Sequence, residues 1–480
     1  TSRIRPVRGG GTSQAGQAIG PGLQMDTSKY LNRVLEVNPS QRWARVEPGV
    51  VLDELNRQLR RYGLMFAPDV STSNRATIGG MMANNSSGAH SVIYGKTIDH
   101  VLEQHVVLSD GSMAHLKPLT SGEVKDLCTG QSLESRGCQV VRELAVLHKE
   151  EVNRRFPKIL RRVGGYNLEA FVEPKQPFNL CKLMVGSEGT LGVVAEAKVK
   201  LVELPKAKAL MVIHFSELLQ ALEATPVILK HHPSAVEVMD AFILDHTRQN
   251  PSFDRLRDFI EGDPGALLLV EFFGEDVESL GPRLSALEGN LRQQQFGYHY
   301  HRALDLDEQE KIWSLRKASL GLSMAMKGDA KALSFVEDTA VDPVKLRDYI
   351  DRFLKIVEKH GTTAGVYAHA SVGCLHVRPV INLKTEEGVG RFEAIAHDVA
   401  DLVLEYGGAV SGEHGDGLVR SPFTRKMFGS KLYDAFRTIK RTFDPLGILN
   451  PGKIVDAPPL TANLRYGTLY RTADPDTFFD

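Results

Sequence analysis

Glycine-rich runs limit what the first 193 residues of this chain can fold into. They read RGGGTS at residues 8–13, TIGGMMANNSSG at residues 77–88 and GSEGTLGV at residues 186–193. Because glycine has no Cβ to cover neighbouring N–H groups, each of the first two runs can form a bend that binds an anion. Two such bends predict a long ligand with two phosphates, such as a dinucleotide. The third run would let a flat ring lie against the backbone, or it is only a tight turn.

The common nucleotide-binding motifs do not occur in these runs. The first two contain neither the Gly-Lys-Ser/Thr of a P-loop nor the G-x-G-x-x-G of a Rossmann fold. We therefore expect a dinucleotide site in a different fold.

Length and composition indicate an ordinary globular chain. Its 480 residues suffice for two or more domains, and it is 42% hydrophobic and 24% charged. A net charge of −1 gives no electrostatic reason to expect nucleic acid or an anionic membrane as partner. No apolar run approaches the roughly 20 residues of a membrane helix. Four cysteines without C-x-x-C spacing favour a reducing, cytoplasmic compartment. Since Thr1 is not an initiator Met, we expect that the true N-terminus is missing.

Hydrophobic periodicity predicts an α+β chain with a boundary near residue 204. A helix is expected at residues 51–62, and strands at 35–37, 44–47, 101–108 and 193–201. Beyond the boundary, strand–helix–strand patterns at 209–239 and 266–301 predict an antiparallel sheet backed by helices, followed by helices at 344–360 and 392–406. The predicted domains are 1–204, 205–455, and a linker or the start of a missing domain at 456–480. A basic cluster (Arg154, Arg155, Lys158, Arg161 and Arg162) is interpreted as a solvated helical face.

A histidine pair in the second half is a candidate metal site. His369 and His376 flank Val372-Gly373. A two-residue turn there would pair 369 with 376 across a hairpin and bring the two imidazoles together as half of a divalent-metal site. The alternative is a pair of structural histidines.

Two further segments carry residues suited to catalysis. The glycine-rich loop at 411–417 contains Glu413, a possible third metal ligand, and His414, a candidate base, since the reference pKa of histidine near 6.5 suits a proton acceptor. Arg316 could pair with a substrate carboxylate. The alternatives are a surface loop and a surface arginine. Asn450 lies in a turn, Asn-Pro-Gly-Lys.

The glycine runs with their neighbours resemble the FAD-binding (PCMH-type) domain of the vanillyl-alcohol-oxidase superfamily. The second set, His369, His376, Glu413, His414 and Asn450, resembles the FAD-linked D-2-hydroxyacid dehydrogenases. That family includes D-2-hydroxyglutarate dehydrogenase, D-lactate dehydrogenase and the glycolate oxidase flavoprotein subunit. In detail the chain is most similar to the large bacterial D-2-hydroxyglutarate dehydrogenases, which are fused to an iron–sulfur domain.

The resemblance implies a FAD-binding domain whose N-terminal lobe is missing here, a cap domain with an antiparallel sheet, and a full set of site residues. FAD would be bound by Arg8, Gly9, Gly10, Gly11, Thr12, Ser13, Gln17, Gly20, Pro68, Asp69, Thr77, Gly79, Gly80, Asn84, Ser86, Gly88, Tyr94, Gly186, Glu188, Gly189, Gly192, Val193 and Asn450. A divalent metal, zinc by preference, would be held by His369, His376 and Glu413, with His414 as base and Arg316 on the substrate carboxylate. The family motif His-x-Gly-Asp-Gly-Asn-x-His is altered here, because Cys374 stands where an Asn often contacts substrate.

The implied reaction oxidises a D-2-hydroxyacid, with D-2-hydroxyglutarate as the first candidate, by hydride transfer to FAD. Electrons would pass to an iron–sulfur domain or protein, a quinone or an electron-transfer flavoprotein. The 4Fe–4S clusters would lie only in a domain absent from this chain. We expect a cytoplasmic protein, peripheral to the membrane through its acceptor and able to oligomerise. The alternatives are D-lactate or glycolate as substrate, a metal-independent flavin oxidase, and a flavin-binding subunit without activity.

Overall fold

The computed structural model describes residues 4–173, 177–248, 250–324, 326 and 328–471. Residues 1–3 of the predicted first domain and residues 472–480 of the predicted linker therefore lie outside the described residues. Across the described ranges, every helix is too short or too polar to traverse a lipid bilayer.

Strands and helices are distributed over the described residues from 4 to 443. The strands are β1 (Ile4–Arg8), β2 (Leu23–Asp26), β3 (Val34–Asn38), β4 (Trp43–Val46), β5 (Leu64–Met65), β6 (Val101–Val107), β7 (Met113–Leu116), β8 (Val193–Lys200), β9 (Val202–Glu203), β10 (Ala207–Phe215), β11 (Ala235–Asp240), β12 (Ala266–Gly274), β13 (His299–Ala303), β14 (Lys331–Ala332), β15 (Thr339–Ala340), β16 (Ala364–His369) and β17 (Cys374–Ile381). The helices are α1 (Leu52–Leu59), α2 (Ile78–Asn84), α3 (Ser91–Tyr94), α4 (Ser121–Thr129), α5 (Leu133–Leu147), α6 (Lys149–Arg155), α7 (Cys181–Met184), α8 (Leu218–Leu229), α9 (Ala241–Arg248), α10 (Leu280–Gln293), α11 (Leu306–Met324), α12 (Leu346–Lys359), α13 (Glu386–Glu405), α14 (Gly417–Arg420) and α15 (Thr424–Phe443).

A five-stranded antiparallel sheet organises the N-terminal lobe, the described part of residues 4–204. Its order is β3-β4-β8-β6-β7. The β6–β7 hairpin turns at Asp110-Gly111, where Gly111 has a φ of +85°. Helix α1 buries Leu52, Leu55 and Leu59 on one face. The strands and the helix predicted for this lobe are confirmed.

An eight-stranded sheet organises the large-sheet lobe, the described part of residues 205–415. Its order is β13-β10-β12-β11-β16-β17-β14, with β15 pairing β17, and every pair is antiparallel. The predicted antiparallel sheet is confirmed, including both strand–helix–strand units. Helix α13 begins at residue 386, six residues before the predicted start, because Thr385 caps it and accepts from Gly388 N at 3.1 Å. Its polar first turn hid this start from a search for apolar periodicity.

The C-terminal helices return to the N-terminal lobe. Helix α15, kinked at Gly429, packs against α5. A Cβ at Gly137 would lie 2.7 Å from Phe443 Cε1, so only glycine allows this close approach. Lys440 Nζ donates to Thr190 O at 2.8 Å. Residues after 415 therefore support the third glycine run from behind.

The basic cluster is not a single solvated helical face. Helix α6 ends at Arg155, and the segment at residues 157–165 continues without helix. Arg161 is 0% exposed and Arg162 is 4% exposed. Pro157 cannot extend the helix, and Lys96 Nζ donates to the carbonyls of Leu160 at 2.9 Å and Arg162 at 3.0 Å, which holds the segment inside the fold. The sequence-based interpretation is wrong for Arg161 and Arg162.

Candidate active site

A cavity of about 1140 Å³ lies between the N-terminal lobe and the large-sheet lobe. It exceeds the roughly 300–1,000 Å³ of most small-molecule pockets. The predicted cofactor-binding residues that line it are Arg8, Gly9, Gly10, Gly11, Thr12, Ser13, Gln17, Pro68, Asp69, Thr77, Gly80, Asn84, Ser86, Gly88, Tyr94 and Glu188. The predicted catalytic and metal residues that line it are Arg316, His369, His376, Glu413 and His414.

Seven predicted cofactor-binding residues do not line the cavity: Gly20, Gly79, Gly186, Gly189, Gly192, Val193 and Asn450. Gly79 packs on Pro48, whose Cβ would lie 2.6 Å from an added Cβ. Asn450 Nδ2 donates to Glu188 O at 2.7 Å and to Gln17 O at 3.1 Å. Asn450 thus joins two walls of the cavity from behind. Gly79 and Asn450 therefore support the cavity wall through packing and hydrogen bonds.

The walls fit a flavin dinucleotide in size and chemistry. Asn84 Nδ2 donates to Ser13 Oγ at 3.1 Å, which brings the first and second glycine runs side by side. Glycine, serine, threonine and asparagine in these runs offer N–H and hydroxyl groups that suit a pyrophosphate. Tyr94 and Trp313 also line the cavity, and their rings suit an aromatic ligand. These residues would hold FAD.

The histidine hairpin has a different register from the predicted one. Residue pairs across it are His369 with Cys374 and Tyr367 with His376. The predicted two-residue turn is wrong, because residues 370–373 form a longer connection with a 3-10 turn, closed by Gly373 at a φ of +65°. The two histidines are therefore diagonal neighbours on one face, and their ring centroids lie 5.1 Å apart. The predicted proximity of the imidazoles holds despite the wrong register.

Three imidazole nitrogens converge on one oxygen of Glu413. The distances to Glu413 Oε1 are 3.4 Å from His369 Nε2, 3.2 Å from His376 Nε2 and 3.1 Å from His414 Nε2. Donor atoms of His369, His376 and Glu413 all lie within 4.8 Å of one another, so these residues could hold a metal ion. Two imidazoles and a carboxylate form a set that Zn²⁺ favours in catalytic sites.

Each of these imidazoles is held by a second carboxylate at its other nitrogen. His369 Nδ1 lies 2.7 Å from Glu237 Oε1. Glu337 serves two rings, since His376 Nδ1 is 2.6 Å from its Oε2 and His414 Nδ1 is 2.7 Å from its Oε1. A carboxylate at Nδ1 fixes the proton there and leaves Nε2 to bind a metal or accept a proton.

The acidic partners were missed by reasoning from sequence. Glu237 lies in a fully buried strand, and Glu337 and Asp338 form an acidic pair between apolar residues. Because charged residues are rarely buried unless they are paired, an acidic residue within an apolar run was the available signal.

Asp338 anchors the loop that presents Glu413 and His414. Its Oδ1 accepts from Glu413 N at 2.8 Å, and its Oδ2 accepts from His414 N at 2.9 Å and from Ser411 Oγ at 2.7 Å. A Cβ at Gly412 would lie 2.7 Å from Cys374 Sγ. Cys374 is therefore packed beneath this loop and does not line the cavity, contrary to the expectation that it occupies a substrate-contacting position.

Charges around the site keep its carboxylates ionised. Burial opposes ionisation of Glu413, but Arg161 and His369 hold its pKa well below the usual value. Burial also disfavours the charged form of His414 and acts to lower its pKa. The carboxylates of Glu337 and Asp338 nevertheless raise this pKa well above the usual value. A divalent cation would oppose this, because positive charge favours the neutral imidazole.

Arg316 lines the cavity on helix α11. Its Nε and NH2 donate to Glu237 Oε2 at 3.1 and 2.7 Å, and its guanidinium lies 4.7 Å from the centroid of the Tyr367 ring. The alternative of a surface arginine is wrong, since Arg316 is only 8% exposed. Glu237 thus connects Arg316 to His369.

Comparison with known proteins adds family matches over both lobes. Residues 204–454 match the family described as FAD linked oxidases, C-terminal domain, and residues 5–117 match the FAD binding domain. The D-2-hydroxyglutarate dehydrogenase of Pantoea ananatis (strain AJ13355) is 38% identical over 464 residues, which cover 95% of this chain and 45% of that protein. This chain therefore spans about half the length of that relative.

Two less similar proteins match nearly the same share of this chain as the Pantoea protein does. The D-lactate dehydrogenase of Archaeoglobus fulgidus (strain ATCC 49558 / DSM 4304 / JCM 9628 / NBRC 100126 / VC-16) is 27% identical over 454 residues, 94% of this chain and 85% of that protein. The structure of 4-ethylphenol oxidase from Gulosibacter chungangensis superposes with a TM-score of 0.63 at 14% identity, covering 95% of this chain and 85% of that one. The predicted fold, a FAD-binding part followed by an antiparallel sheet lobe, is confirmed.

Proposed function

Because this chain belongs to the family of FAD-linked oxidases, we propose that it is the flavin-dependent part of a dehydrogenase. The proposed reaction converts a D-2-hydroxyacid, D-2-hydroxyglutarate as first candidate, to the 2-oxoacid. The observation that carries this proposal is the convergence of three imidazole Nε2 atoms on Glu413 at the wall of the cavity. The similarity to a D-2-hydroxyglutarate dehydrogenase over 95% of this chain supports the choice of substrate.

Oxidation of a 2-hydroxyacid removes a proton from the hydroxyl and a hydride from C2. Bound FAD supplies the hydride acceptor that no side chain can provide. His369, His376 and Glu413 would hold a divalent metal, which would supply a Lewis acid that lowers the pKa of a nearby hydroxyl.

The side chains at the cavity wall can perform the remaining tasks. His414 Nε2 accepts the hydroxyl proton, while Glu337 keeps the Nδ1 proton in place. Arg316 pairs with the substrate carboxylate through the donors that Glu237 does not occupy.

The electron acceptor, the location and the domain division remain parts of this proposal. The half of the Pantoea relative that this chain does not match supports an electron acceptor outside this chain. That acceptor would be an iron–sulfur domain, a quinone or an electron-transfer flavoprotein. A peripheral membrane location would follow from such an acceptor. A boundary near residue 204 is supported by the start of the second family match.

The test is anaerobic reduction of the bound flavin in the full-length protein. Absorbance of the oxidised flavin is followed after addition of D- and L-2-hydroxyglutarate, D-lactate and glycolate, with and without a chelator. We expect rapid bleaching by D-2-hydroxyglutarate, none by its L-enantiomer, and loss of bleaching after metal removal.

Other outcomes would assign other functions. Faster bleaching by D-lactate or glycolate would change the substrate. Chelator-insensitive turnover with peroxide formation would favour a flavin oxidase. A flavin that no 2-hydroxyacid reduces would overturn the proposed reaction and favour a binding subunit.

A further inference from the structure

Arg161 reaches the metal-binding residues from the N-terminal lobe. Its guanidinium is fully buried, and NH2 donates to Glu413 Oε2 at 2.8 Å. Glu413 belongs to the loop at residues 411–417, far away in the sequence. A positive side chain from one lobe thus meets a candidate metal ligand of the other lobe.

The backbone around Arg161 is fixed from two sides. Val163 N donates to Ser411 O at 3.1 Å, and Gly165 N donates to Asp416 Oδ2 at 2.7 Å. On the other side, Lys96 Nζ donates to the carbonyls of the same segment. The guanidinium is therefore held in register with the loop that carries Glu413.

The two oxygens of Glu413 have separate partners. Oε2 is engaged by Arg161, and Oε1 faces the Nε2 atoms of His369 and His376. We propose that Arg161 is the positioning residue of the metal site: it occupies Oε2, so that Glu413 presents Oε1 as a single-oxygen ligand. This inference rests on the metal-assisted function proposed above.

The free-energy cost of burial argues against the view that the ion pair of Arg161 and Glu413 serves only to stabilise the fold. Arg161 Nε and NH1 are buried and find no hydrogen-bond partner among the residues that the structure describes. A buried ion pair with unsatisfied N–H groups contributes little or negatively to stability, because desolvation outweighs the attraction. Orientation of Glu413 is a role that the hydrogen bond from Arg161 NH2 to Glu413 Oε2 is sufficient to perform.

Loss of this contact changes the ligand in a defined way. A carboxylate without its partner at Oε2 can rotate and bind a metal through both oxygens, or turn away from it. Partners of metal ligands typically contribute 10- to 100-fold to metal affinity. A single-oxygen ligand also leaves coordination positions for the oxygens of a substrate.

The test compares Arg161→Met and Arg161→Gln with a matched control in the holoenzyme. Arg154→Met removes an exposed arginine from the same basic cluster, where it pairs with the nearby Glu151. FAD content and the thermal midpoint report folding, chelator competition gives the Zn²⁺ affinity, and the visible spectrum of the Co²⁺-substituted protein reports its coordination. We expect both Arg161 variants to keep FAD and to bind Zn²⁺ about 10- to 100-fold more weakly. Their Co²⁺ spectrum should change, whereas Arg154→Met should match the wild type.

A double-variant cycle separates positioning from a general structural effect. If Arg161 acts through Glu413, Arg161→Met should weaken Zn²⁺ binding in the wild-type background and add nothing in a Glu413→Gln background. Equal losses in both backgrounds, or wild-type affinity and spectrum in Arg161→Gln, would overturn the inference. Should Arg161→Met not fold, Arg161→Gln carries the same comparison.

Failure of the inference is distinguishable from failure of the proposed function. A wild-type protein that binds no divalent metal would remove the metal-assisted mechanism and the role of Arg161 together. A wild type that binds Zn²⁺ as tightly as its Arg161 variants would remove only the role of Arg161.

Discussion

His90 and Glu271 connect the two lobes across the cavity, with His90 Nε2 2.5 Å from Glu271 Oε2. The other ring nitrogen, Nδ1, lies 2.9 Å from Asp69 Oδ2, and Trp313 Nε1 donates to Glu271 Oε1 at 3.0 Å. Burial acts to lower the pKa of His90, but Asp69 and Glu271 raise it to about 10. The ring is therefore an imidazolium at neutral pH, with a carboxylate at each nitrogen.

We predict that the flavin is bound without a covalent link to His90. A histidine attached to a flavin must use a ring nitrogen, and both nitrogens of His90 face carboxylates. Precipitation of the holoprotein with acid should release all the yellow cofactor into the supernatant. Yellow colour that stays in the washed precipitate would contradict this prediction.

Stability should fall in the pH range where His90 titrates. Because the folded pKa is raised from 6.5 to about 10, the His90 contribution is complete below pH 6.5 and is lost as pH rises through 10. One such group gives a slope approaching about −1.4 kcal/mol per pH unit in this window. Urea unfolding from pH 6 to 10 should show a shallower decline for His90→Gln than for the wild type.

The control for the His90 prediction is another histidine beside a carboxylate. His115 lies 3.0 Å from Glu103, but its side chain is 43% exposed. His115→Gln should keep the wild-type pH dependence because solvent screens the pair. If the free energy of unfolding fell equally steeply with pH in His90→Gln and in the wild type, His90 would not be the group responsible for the decline.

Replacing His414 by alanine should stop proton removal while the flavin remains bound. General-base catalysis typically contributes 10²–10⁴-fold, so kcat should fall by roughly that factor. Flavin absorbance and Zn²⁺ content should stay near the wild-type values, since His414 is not one of the three proposed metal ligands. Turnover at the wild-type rate would show that another group accepts the proton.

Glu337→Gln should disturb two histidines at once. An amide offers only one acceptor oxygen, so one of the Nδ1–H groups of His376 and His414 would face an N–H donor. That ring must turn or move its proton to Nε2, and Zn²⁺ affinity should fall about 10- to 100-fold. Chelator competition measures this loss, and the exposed Glu278→Gln is the matched control.

Arg316→Met should weaken binding of the substrate carboxylate. Hydrogen bonds to charged groups contribute about 1.5–3 kcal/mol, so kcat/KM should fall roughly 10- to 100-fold, mainly through KM. Steady-state kinetics with D-2-hydroxyglutarate measure the effect. An unchanged KM would show that another cation binds the carboxylate.

Local patterns predicted the elements of the fold and the residues that the structure brings together as a candidate metal site. Strand β12 and helix α1 have the apolar spacing expected of buried elements, and their bounds lie near the predicted ones. The first two glycine runs also led to the cavity wall, because glycine lacks a Cβ and lets the backbone approach a ligand closely.

Contacts between distant segments could not be predicted in this way. The hairpin register depended on a 3-10 turn at residues 370–372, which the local residue types do not specify. The pairing of Arg161 with Glu413, and of Glu237 with His369, arises from packing of segments that are separate in sequence. A buried arginine and a solvated one have the same appearance in an isolated sequence.

Glu337 couples the orientations of the His376 and His414 rings. Their stacked rings, with centroids 5.2 Å apart, both depend on this one buried carboxylate. If either ring rotated alone, its Nδ1 proton would lose Glu337 as acceptor, so we expect the two rings to keep their orientations together. A reagent or ligand that binds one of the two imidazole rings should therefore also change the nuclear magnetic resonance signals of the other ring.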